Sequence, residues 1–336
     1  MSPVIDVHTH VVPPGWPDLG APGDPWLRMD STTAATIMLG DREFRQITDA
    51  CWNADTRLAD MDADGVDVQV VLPTPVFFGY DRVPADAARI AAIFNDLTLD
   101  ITAQAPDRLL PFCQVPLQDL EAAVAELDRC IANGHQGVEI GNHVGDRDLD
   151  DEAVLSFLMH CADHDVPVFV HPWDMTSASR TDRWMLEWLV GMPAETHLSL
   201  LHLALSGAFD RLPTRLRLGF AHGGGSFAYW AGRADNAWHQ RRDLVGADSE
   251  HPPSAYAERV YVDSVVFTET ALRVLLDVHG NDRIVLGSDY PYPLGERPAG
   301  ALVRAAEVSS DVREQILTGN ALRFLGEGPA LPRGTR

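Results

Sequence analysis

Close to its first residue the chain reads IDVHTH at positions 5–10, a short β-branched run that ends in two histidines. Side chains alternate between the two faces of a strand, so His8 and His10 point to the same side, together with Asp6. Two imidazoles at the end of a strand can bind one divalent cation, and a neighbouring carboxylate can orient one of them. One such pair is weak evidence, because histidines at strand ends are often only hydrogen-bonded.

Three further apolar runs end in a residue that can bind a metal. His171 follows VFV at 168–170, His222 follows GFA at 219–221, and Asp289 follows LGS at 286–288. Each one alone is better explained as a polar residue that caps the core. Together with the histidine pair they point to one site, because the carboxyl ends of barrel strands meet at one face. Nitrogen and carboxylate ligands without thiolate favour Zn²⁺ and also suit Mn²⁺, Fe²⁺ or Co²⁺.

The strand-like runs alternate with longer amphipathic segments, which is typical of βαβ units and a parallel sheet. Strands are predicted at 4–10, 66–73, 109–116, 137–141, 167–172, 216–223, 260–265 and 284–291. Helices are predicted at 84–105, 117–133, 150–164 and 268–279. Eight such strands favour a closed (β/α)8 TIM barrel of the α/β class over an open sheet.

Two stretches interrupt the alternation. Residues 11–56, rich in Pro, Gly and Trp, follow the first strand, and residues 174–210 follow the fifth. Loops after barrel strands lie on the catalytic face, so these stretches predict a lid and a pocket wall rather than a separate domain. We therefore expect a single domain over 1–336, with 11–56 as a small insertion or lid and 326–336 as a flexible tail.

The composition excludes several classes of function. The chain has 336 residues and a net charge of −23, and all 26 basic residues are arginine. This negative charge disfavours binding to nucleic acid or to anionic membranes. Without lysine the chain cannot form a Schiff base, a P-loop or a binuclear centre bridged by a carboxylated lysine. A metal centre here is therefore mononuclear or bridged by another residue.

Features of membrane or secreted proteins are also missing. No apolar run approaches the roughly 18 residues of a membrane span, and the first residues do not resemble a signal peptide. The four cysteines show no C-x-x-C spacing and are predicted to be buried and reduced. We expect a cytoplasmic protein without nucleic acid or membrane partners.

A glycine run, HGGGSF at 222–227, has more than one interpretation. A phosphate cradle would need the missing P-loop lysine, and an oxyanion loop of the esterase type would need a G-x-S-x-G elbow that the chain lacks. A tight turn from strand to helix that brings backbone close to the metal pocket explains the run better.

Longer motifs resemble the amidohydrolase-related decarboxylase family. They are IDVHTH at 5–10, QVPLQDL at 114–120, GNH at 141–143, VHPWDM at 170–175, LVGMPAET at 189–196, HGGGSF at 222–227 and GSDYP at 287–291. The resemblance extends from about residue 4 to residue 325. It implies a non-oxidative decarboxylation at one zinc ion per subunit, without an organic cofactor.

The resemblance also implies roles for individual residues of the metal centre. The family's metal ligands match His8, His10, His171 and Asp289. The family's acid/base histidine matches His222.

On the substrate side, the resemblance implies two arginines that bind carboxylates. Arg45 matches the first, and Arg233 matches a second that the family supplies from a neighbouring subunit, so a homodimer is implied. Trp184 and Tyr292 are expected to contact the substrate, although family members often have phenylalanine at the latter position. The implied substrate is a small dicarboxylate. It is a carboxymuconate semialdehyde of the kind formed in aromatic catabolism from tryptophan and 3-hydroxyanthranilate.

Other functions remain open at this stage. A sibling decarboxylase of a hydroxybenzoate would share several of the motifs. The same barrel and metal could also hydrolyse a lactone or an amide, because the fold does not determine the function. A binding protein without catalysis is a third possibility, which the complete ligand set and the acid/base histidine disfavour.

Overall fold

The computed structural model describes residues 2–20, 23–175 and 180–326. Its strands are β1 (Ile5–Val11), β2 (Pro25–Met29), β3 (Ala34–Leu39), β4 (Arg42–Thr48), β5 (Val68–Pro73), β6 (Leu109–Pro111), β7 (Val138–Gly141), β8 (His143–Val144), β9 (Arg147–Asp148), β10 (Val168–His171), β11 (Leu218–Phe220), β12 (Val260–Asp263) and β13 (Ile284–Val285). Its α-helices are α1 (Ala54–Asp64), α2 (Pro84–Thr102), α3 (Leu120–Ala132), α4 (Glu152–Asp163), α5 (Met192–Leu205), α6 (Ala208–Arg211), α7 (Phe227–Gln240), α8 (Glu269–His279), α9 (Ala301–Ala305), α10 (Ser310–Glu314) and α11 (Asn320–Leu325).

Eight parallel strands form the centre of the molecule, in the order β1-β5-β6 and β7-β10-β11-β12-β13. Parallel bridges join the two groups at both edges, Cys113 with Val138 and Thr9 with Tyr290. Each of the eight strands therefore has a hydrogen-bonded neighbour on either side, as in a TIM barrel. The predicted fold class is confirmed.

The predicted strands begin within two residues of the observed ones, but β6, β11 and β13 end earlier than predicted. After β11 and β13 the backbone leaves the extended conformation at the candidate site residues. His222 and Asp289 have φ angles of 54° and 59°, which no strand residue adopts. The chain thus leaves the sheet just where it presents these side chains.

The stretch 11–56 forms a small antiparallel sheet of β2, β3 and β4 after the first barrel strand. Its last strand carries Arg45, which is paired in register with Ile37. The chain then enters α1, where the Asn53 side chain accepts hydrogen bonds from two backbone N–H groups of the first turn. Whether this sheet acts as a lid stays a prediction. The predicted tail, apart from Gly326, lies outside the described residues.

Aromatic and aliphatic side chains fill the interior below the strand ends. Phe112, Phe169 and Phe324 are buried there with Ile5 and Val7. The ring of Phe169 lies 5.2 Å from that of His8, between ring centroids, so this core supports the candidate site directly. Among the described residues no helix has both the length and the apolar character needed to cross a membrane.

Candidate metal centre

Five polar side chains converge where β1, β10, β11 and β13 end. The Nε2 atoms of His8 and His10 are 3.1 Å apart, and Asp289 Oδ1 lies 3.2 Å from Nε2 of His10 and 3.7 Å from Nε2 of His8. The His171 ring lies 5.0 to 5.2 Å from the rings of His8, His10 and His222. Strands from four separate parts of the chain thus bring the five predicted residues together.

Four members of this group, His8, His171, His222 and Asp289, offer ligand atoms that all lie within 4.8 Å of one another. His10 reaches the same cluster through its short distances to His8 and Asp289. Imidazole nitrogens and one carboxylate at such spacing are the ligand set of a mononuclear divalent site. His222 therefore lies close enough to coordinate, although the resemblance assigns it a different role.

The outer ring nitrogens of three histidines are already occupied. Nδ1 of His8 contacts Asp263 Oδ2 at 2.6 Å, Nδ1 of His10 contacts the Pro73 carbonyl at 3.0 Å, and Nδ1 of His171 contacts the Pro172 carbonyl at 2.9 Å. These partners are acceptors, so each Nδ1 carries the hydrogen and each Nε2 is left with a lone pair. That tautomer directs all three Nε2 atoms toward a cation, and the residues fit a divalent metal.

Protonation states also agree with metal binding. Burial lowers the pKa of His10 and, reinforced by the neighbouring histidines, holds the pKa of His171 well below its usual value. Burial alone would raise the pKa of Asp289, but its contacts with His10 and His222 hold it well below the usual range. Neutral imidazoles next to an ionised carboxylate are the forms that ligate a divalent ion.

His222 differs from the other histidines in its surroundings. Its Nε2 lies 3.9 Å from Asp289 Oδ2, and its Nδ1 is buried without a hydrogen-bond partner among the described residues. Burial lowers its pKa, but the carboxylates of Asp289 and Asp263 outweigh burial, so the pKa is raised overall. A histidine whose Nδ1 forms no hydrogen bond within the described residues can accept or donate a proton in the pocket.

The glycine run forms the tight turn predicted for it. His222 and the three glycines that follow all have positive φ angles. A Cβ atom at Gly225 would lie 2.3 Å from the Pro193 carbonyl oxygen, so the run also allows close packing against α5.

Asp263, at the end of β12, is a site residue that the sequence analysis missed. It contacts His8 and accepts hydrogen bonds from the backbone N–H groups of His222 and Gly223 at 2.8 and 2.9 Å. The predicted orienting role of Asp6 is wrong, because Asp6 accepts hydrogen bonds from Ser288 and from the backbone of His8 instead. The pattern that revealed His171, a polar residue closing an apolar strand, also marks Asp263.

A cavity of about 660 Å³ opens above the five residues. Its wall is mostly apolar and aromatic, and comes from β4, from the helical segment at 185–193 and from the loops after β5, β10, β12 and β13. The lining includes Phe44, Arg45, Thr74, Trp173, Trp188, Leu189, Met192, Val265, Phe267 and Tyr292. A cavity of this size suits a small molecule.

Arg45 is the one arginine among the described residues that line the cavity, and it forms no ion pair with any described carboxylate. Its guanidinium carbon lies 4.7 Å from the ring centre of Tyr292, 5.3 Å from Phe44 and 5.8 Å from Trp188. The Tyr292 hydroxyl is hydrogen-bonded to Thr74 Oγ1 at 2.7 Å, and Thr74 in turn donates to the Val11 carbonyl. The hydroxyl of Tyr292 is therefore hydrogen-bonded within the wall, and the Arg45 guanidinium can bind an anionic ligand.

Two other predicted residues lie away from the cavity. Trp184 is 72% exposed, with the Arg183 guanidinium 4.4 Å from its ring centre, and Trp188 takes the expected place in the wall. Arg233 is exposed on α7, outside the cavity of its own chain. His143 does not reach the centre either, because both of its ring nitrogens contact backbone carbonyls, of Gly145 and Asp174.

One buried carboxyl group near the centre forms no hydrogen bond with any residue that the structure describes. Glu139 lies on β7 and is fully buried, and neither of its side-chain oxygens forms a hydrogen bond within the described residues. It pairs in register with Phe169, two residues before His171 on β10, so it faces the same side as both. Burial, together with the Asp289 charge, raises its pKa well above the usual value.

Comparisons with known proteins agree with this geometry. The Amidohydrolase family model matches residues 5–326. The chain is 38% identical to a 2-amino-3-carboxymuconate-6-semialdehyde decarboxylase of Dictyostelium discoideum over 97% of this chain and 92% of that protein. It is 33% identical to the enzyme of the same name from Caenorhabditis elegans, over 96% and 94% of the two chains.

A solved structure of 5-carboxyvanillate decarboxylase from Novosphingobium aromaticivorans is also similar. It superposes with a TM-score of 0.71 and 27% identity over 80% of this chain and 79% of that chain, and it contains manganese and a nitrobenzoic acid. The chain belongs to the amidohydrolase family. Its relatives confirm the predicted carboxy-lyase class, so the protein is a non-oxidative decarboxylase.

Proposed function

We propose that the protein decarboxylates 2-amino-3-carboxymuconate-6-semialdehyde, using the five-residue centre as a site for one divalent metal ion. The observation that carries this proposal is Arg45, a cation without a carboxylate partner in the described wall of a largely apolar cavity next to the candidate ligands. A planar conjugated dicarboxylate matches such a cavity, because aromatic rings contact its body and guanidinium binds carboxylates in bidentate fashion. The two relatives with this name support the choice of substrate.

The metal would be held by His8, His10, His171 and Asp289, and would supply Lewis acidity to the reacting end of the substrate. We propose Zn²⁺, because the histidine-rich set favours it, while Mn²⁺ occupies the related solved structure. The phenyl and indole rings of the wall exclude water. Arg45 binds one of the two substrate carboxylates and thereby fixes the orientation of the substrate.

Proton transfer falls to His222. When the bond between carbon and carboxylate breaks, CO₂ leaves and its bonding electron pair stays on the substrate carbon. His222 then delivers a proton to that carbon, and the proton is regained from solvent. Its ring lies 5.0 Å from that of His171, between centroids, so it borders the candidate centre.

We further propose a homodimer in which Arg233 reaches the cavity of the partner subunit. Arg233 has no ion pair among the described residues, and on α7 it follows Tyr229 and Trp230 by one helical turn, which are 74% and 45% exposed. Leu189 and Val190, beside the cavity, are also more than half exposed. Apolar surface of this kind marks interfaces.

Mixing of inactive subunits tests this arrangement. His222→Ala and Arg233→Ala are each expected to be nearly inactive, but a dimer of the two has one site with both residues intact. Random reassociation in equal amounts should recover about a quarter of the wild-type activity, since half of the dimers are mixed and each has one intact site of two. No recovery, or a monomer in sedimentation experiments, would refute the shared site.

A substrate panel tests the proposed function itself. Zn²⁺-loaded protein is given 2-amino-3-carboxymuconate-6-semialdehyde or a dihydroxybenzoate, and loss of absorbance and release of CO₂ are recorded together. We expect rapid consumption of the semialdehyde with one CO₂ per molecule. Preference for the dihydroxybenzoate would assign the protein to the sibling decarboxylases, and hydrolysis without CO₂ would contradict decarboxylation.

A further inference from the structure

Arg57, in α1, is a cation buried in the interior of the protein. Its side chain is only 1% exposed. It donates hydrogen bonds to Thr9 Oγ1 at 3.1 Å, to Gln69 Oε1 at 3.0 Å and to the Ala50 carbonyl at 3.2 Å, and it also bonds to the carbonyl of His10. Within the described chain all of these acceptors are neutral. The charge is therefore buried among dipoles rather than paired with a carboxylate.

Such a placement is unfavourable, because a charge that leaves water loses its hydration and no ion pair within the described residues offsets that loss. An apolar side chain of similar volume would fill the same space without this cost. The contacts of the guanidinium indicate why a cation is present. Two of its four hydrogen bonds go to His10, a candidate metal ligand, and to Thr9 beside it.

Two of these hydrogen bonds, and a ring contact of the same guanidinium, border the metal centre. Thr9 lies between His8 and His10, and the carbonyl that Arg57 binds belongs to His10 itself. On the other side, the guanidinium carbon lies 4.8 Å from the ring centre of Tyr290, the residue after Asp289. The Arg57 guanidinium thus contacts the chain on both sides of the centre, the His10 carbonyl on one side and the Tyr290 ring on the other.

The Arg57 side chain lies at the seam where the first and last barrel strands, β1 and β13, meet. Thr9 and Tyr290 form the bridge across this seam, and the N–H of His10 donates to the Tyr290 carbonyl at 2.6 Å. This seam sets the distance between His10 and Asp289, whose ligand atoms lie 3.2 Å apart. The bonds to Ala50 and Gln69 add the insertion and β5 to the same network.

We propose that Arg57 is a positioning residue of the metal centre. Its guanidinium fixes the backbone of His10 and the ring of Tyr290, so that the ligand atoms of β1 and of the segment after β13 are held at coordinating distance. This role rests on the proposed metal site and assigns to Arg57 no contact with substrate or metal. It explains why a charge, with several directed donors, lies where an apolar side chain would otherwise pack.

The test compares Arg57→Lys, which keeps the charge but loses the fork of donors, with Arg259→Lys as a matched control. Arg259 also donates to backbone carbonyls, of Phe209 at 2.6 Å and Leu212 at 2.9 Å, and its guanidinium carbon lies 5.6 Å from the Phe209 ring centre, but it does not touch the centre. Zn²⁺ affinity is measured by competition with a chelator, and the visible spectrum of the Co²⁺-loaded protein reports the ligand geometry. Melting temperature is recorded for both variants.

We expect Arg57→Lys to bind Zn²⁺ about 10- to 100-fold more weakly and to show an altered Co²⁺ spectrum. Arg259→Lys should lose stability with affinity and spectrum unchanged. If Arg57→Lys does not fold, Thr9→Val removes one acceptor of the same guanidinium at nearly constant volume, and it should weaken Zn²⁺ binding about three- to tenfold.

Wild-type affinity and an unchanged Co²⁺ spectrum in the foldable variant would overturn the positioning role and leave the metal site intact. Failure of the unsubstituted protein to bind Zn²⁺ would instead overturn the metal site, and this proposal with it.

Discussion

The metal centre and the wall of the cavity above it are built from different kinds of structure. The five residues of the centre lie at the ends of barrel strands, and three of their imidazoles are fixed by acceptors at Nδ1. The wall comes from the small sheet that contains Arg45 and from the segment around Trp188, both of which follow strand ends. The residues of the centre are held by neighbouring barrel strands, whereas those of the wall are held by side-chain contacts between separate loops and insertions, such as Arg45 with Tyr292 and Trp188.

This difference indicates that the centre and the wall have separate functions. Side chains on strands keep their positions when the substrate changes, which suits metal binding and proton transfer. Inserted segments can vary without disturbing the barrel, which suits selection of the substrate. Substitutions in the centre should therefore remove metal or chemistry, whereas substitutions in the wall should change substrate recognition with the metal still bound.

The largest effect is expected at a ligand. His171→Ala removes an imidazole whose orientation the Pro172 carbonyl fixes. We expect less than one tenth of the wild-type metal content by elemental analysis and a fall in turnover of about a thousandfold or more. His143→Ala, two residues after the end of β7, serves as the control, and this variant should keep its metal. A metal-replete and active His171→Ala protein would contradict the ligand assignment.

His222→Ala separates chemistry from metal binding within the same centre. We expect one metal ion per chain to remain and turnover to fall by a factor of roughly 100 or more, because the proton donor is missing. Metal content and turnover are measured on the same preparation. If the metal is lost as well, His222 belongs to the ligands, as its distances to His8, His171 and Asp289 allow.

In the wall, Arg45→Met tests recognition of the substrate carboxylate. A charge-assisted hydrogen bond contributes about 1.5–3 kcal/mol, so kcat/KM should fall roughly 10- to 100-fold with the metal content unchanged. Arg42→Met, on the same strand but exposed, is the matched control and should behave as wild type. An equal effect of both substitutions would show that Arg45 acts through the surface charge and not through the cavity.

Glu139→Gln tests the buried carboxyl near the centre. Because the folded pKa of Glu139 is raised, the folded state keeps its proton where the unfolded state has lost it. The free energy of unfolding of the wild type should therefore fall, relative to the variant, as the pH rises from about 4.5, by at most about 1.4 kcal/mol per pH unit. Urea denaturation of metal-free protein between pH 5 and 8 measures the difference. Parallel stability curves would show that Glu139 ionises normally.

The smallest effect is expected for Tyr292→Phe. The hydroxyl of Tyr292 bonds to Thr74 inside the wall, and the ring that faces Arg45 is retained in the variant. Loss of one hydrogen bond of about 1 kcal/mol should change kcat/KM less than about fivefold. A far larger loss, confined to KM, would show that the hydroxyl contacts the substrate itself.

The same contrast explains what the sequence could predict. The convergence of the five residues could be predicted because polar residues that follow apolar runs in a barrel meet at one face. Asp263 follows the same rule at the end of β12, and only the lack of a histidine or a longer motif there concealed it.

The wall could not be predicted to the same precision. Trp184 and Met185 have φ angles of 59° and 56°, and this local turn directs Trp184 outward and leaves Trp188, one helical turn later, in the cavity. No periodicity in the sequence encodes such a turn. Arg57 was missed for a related reason, since a buried arginine that has no carboxylate partner in the described part of the chain contradicts the usual preference of charged residues for the surface.

Metal titration of the metal-free protein tests the central claim most directly. Protein stripped with a chelator is titrated with Zn²⁺, and decarboxylation of 2-amino-3-carboxymuconate-6-semialdehyde is followed after each addition. A single centre without bridging lysine predicts activity near zero at the start and a linear rise that ends at one equivalent per chain. Full activity in the stripped protein, or a rise that continues to two equivalents, would contradict a mononuclear metal centre as the site of decarboxylation.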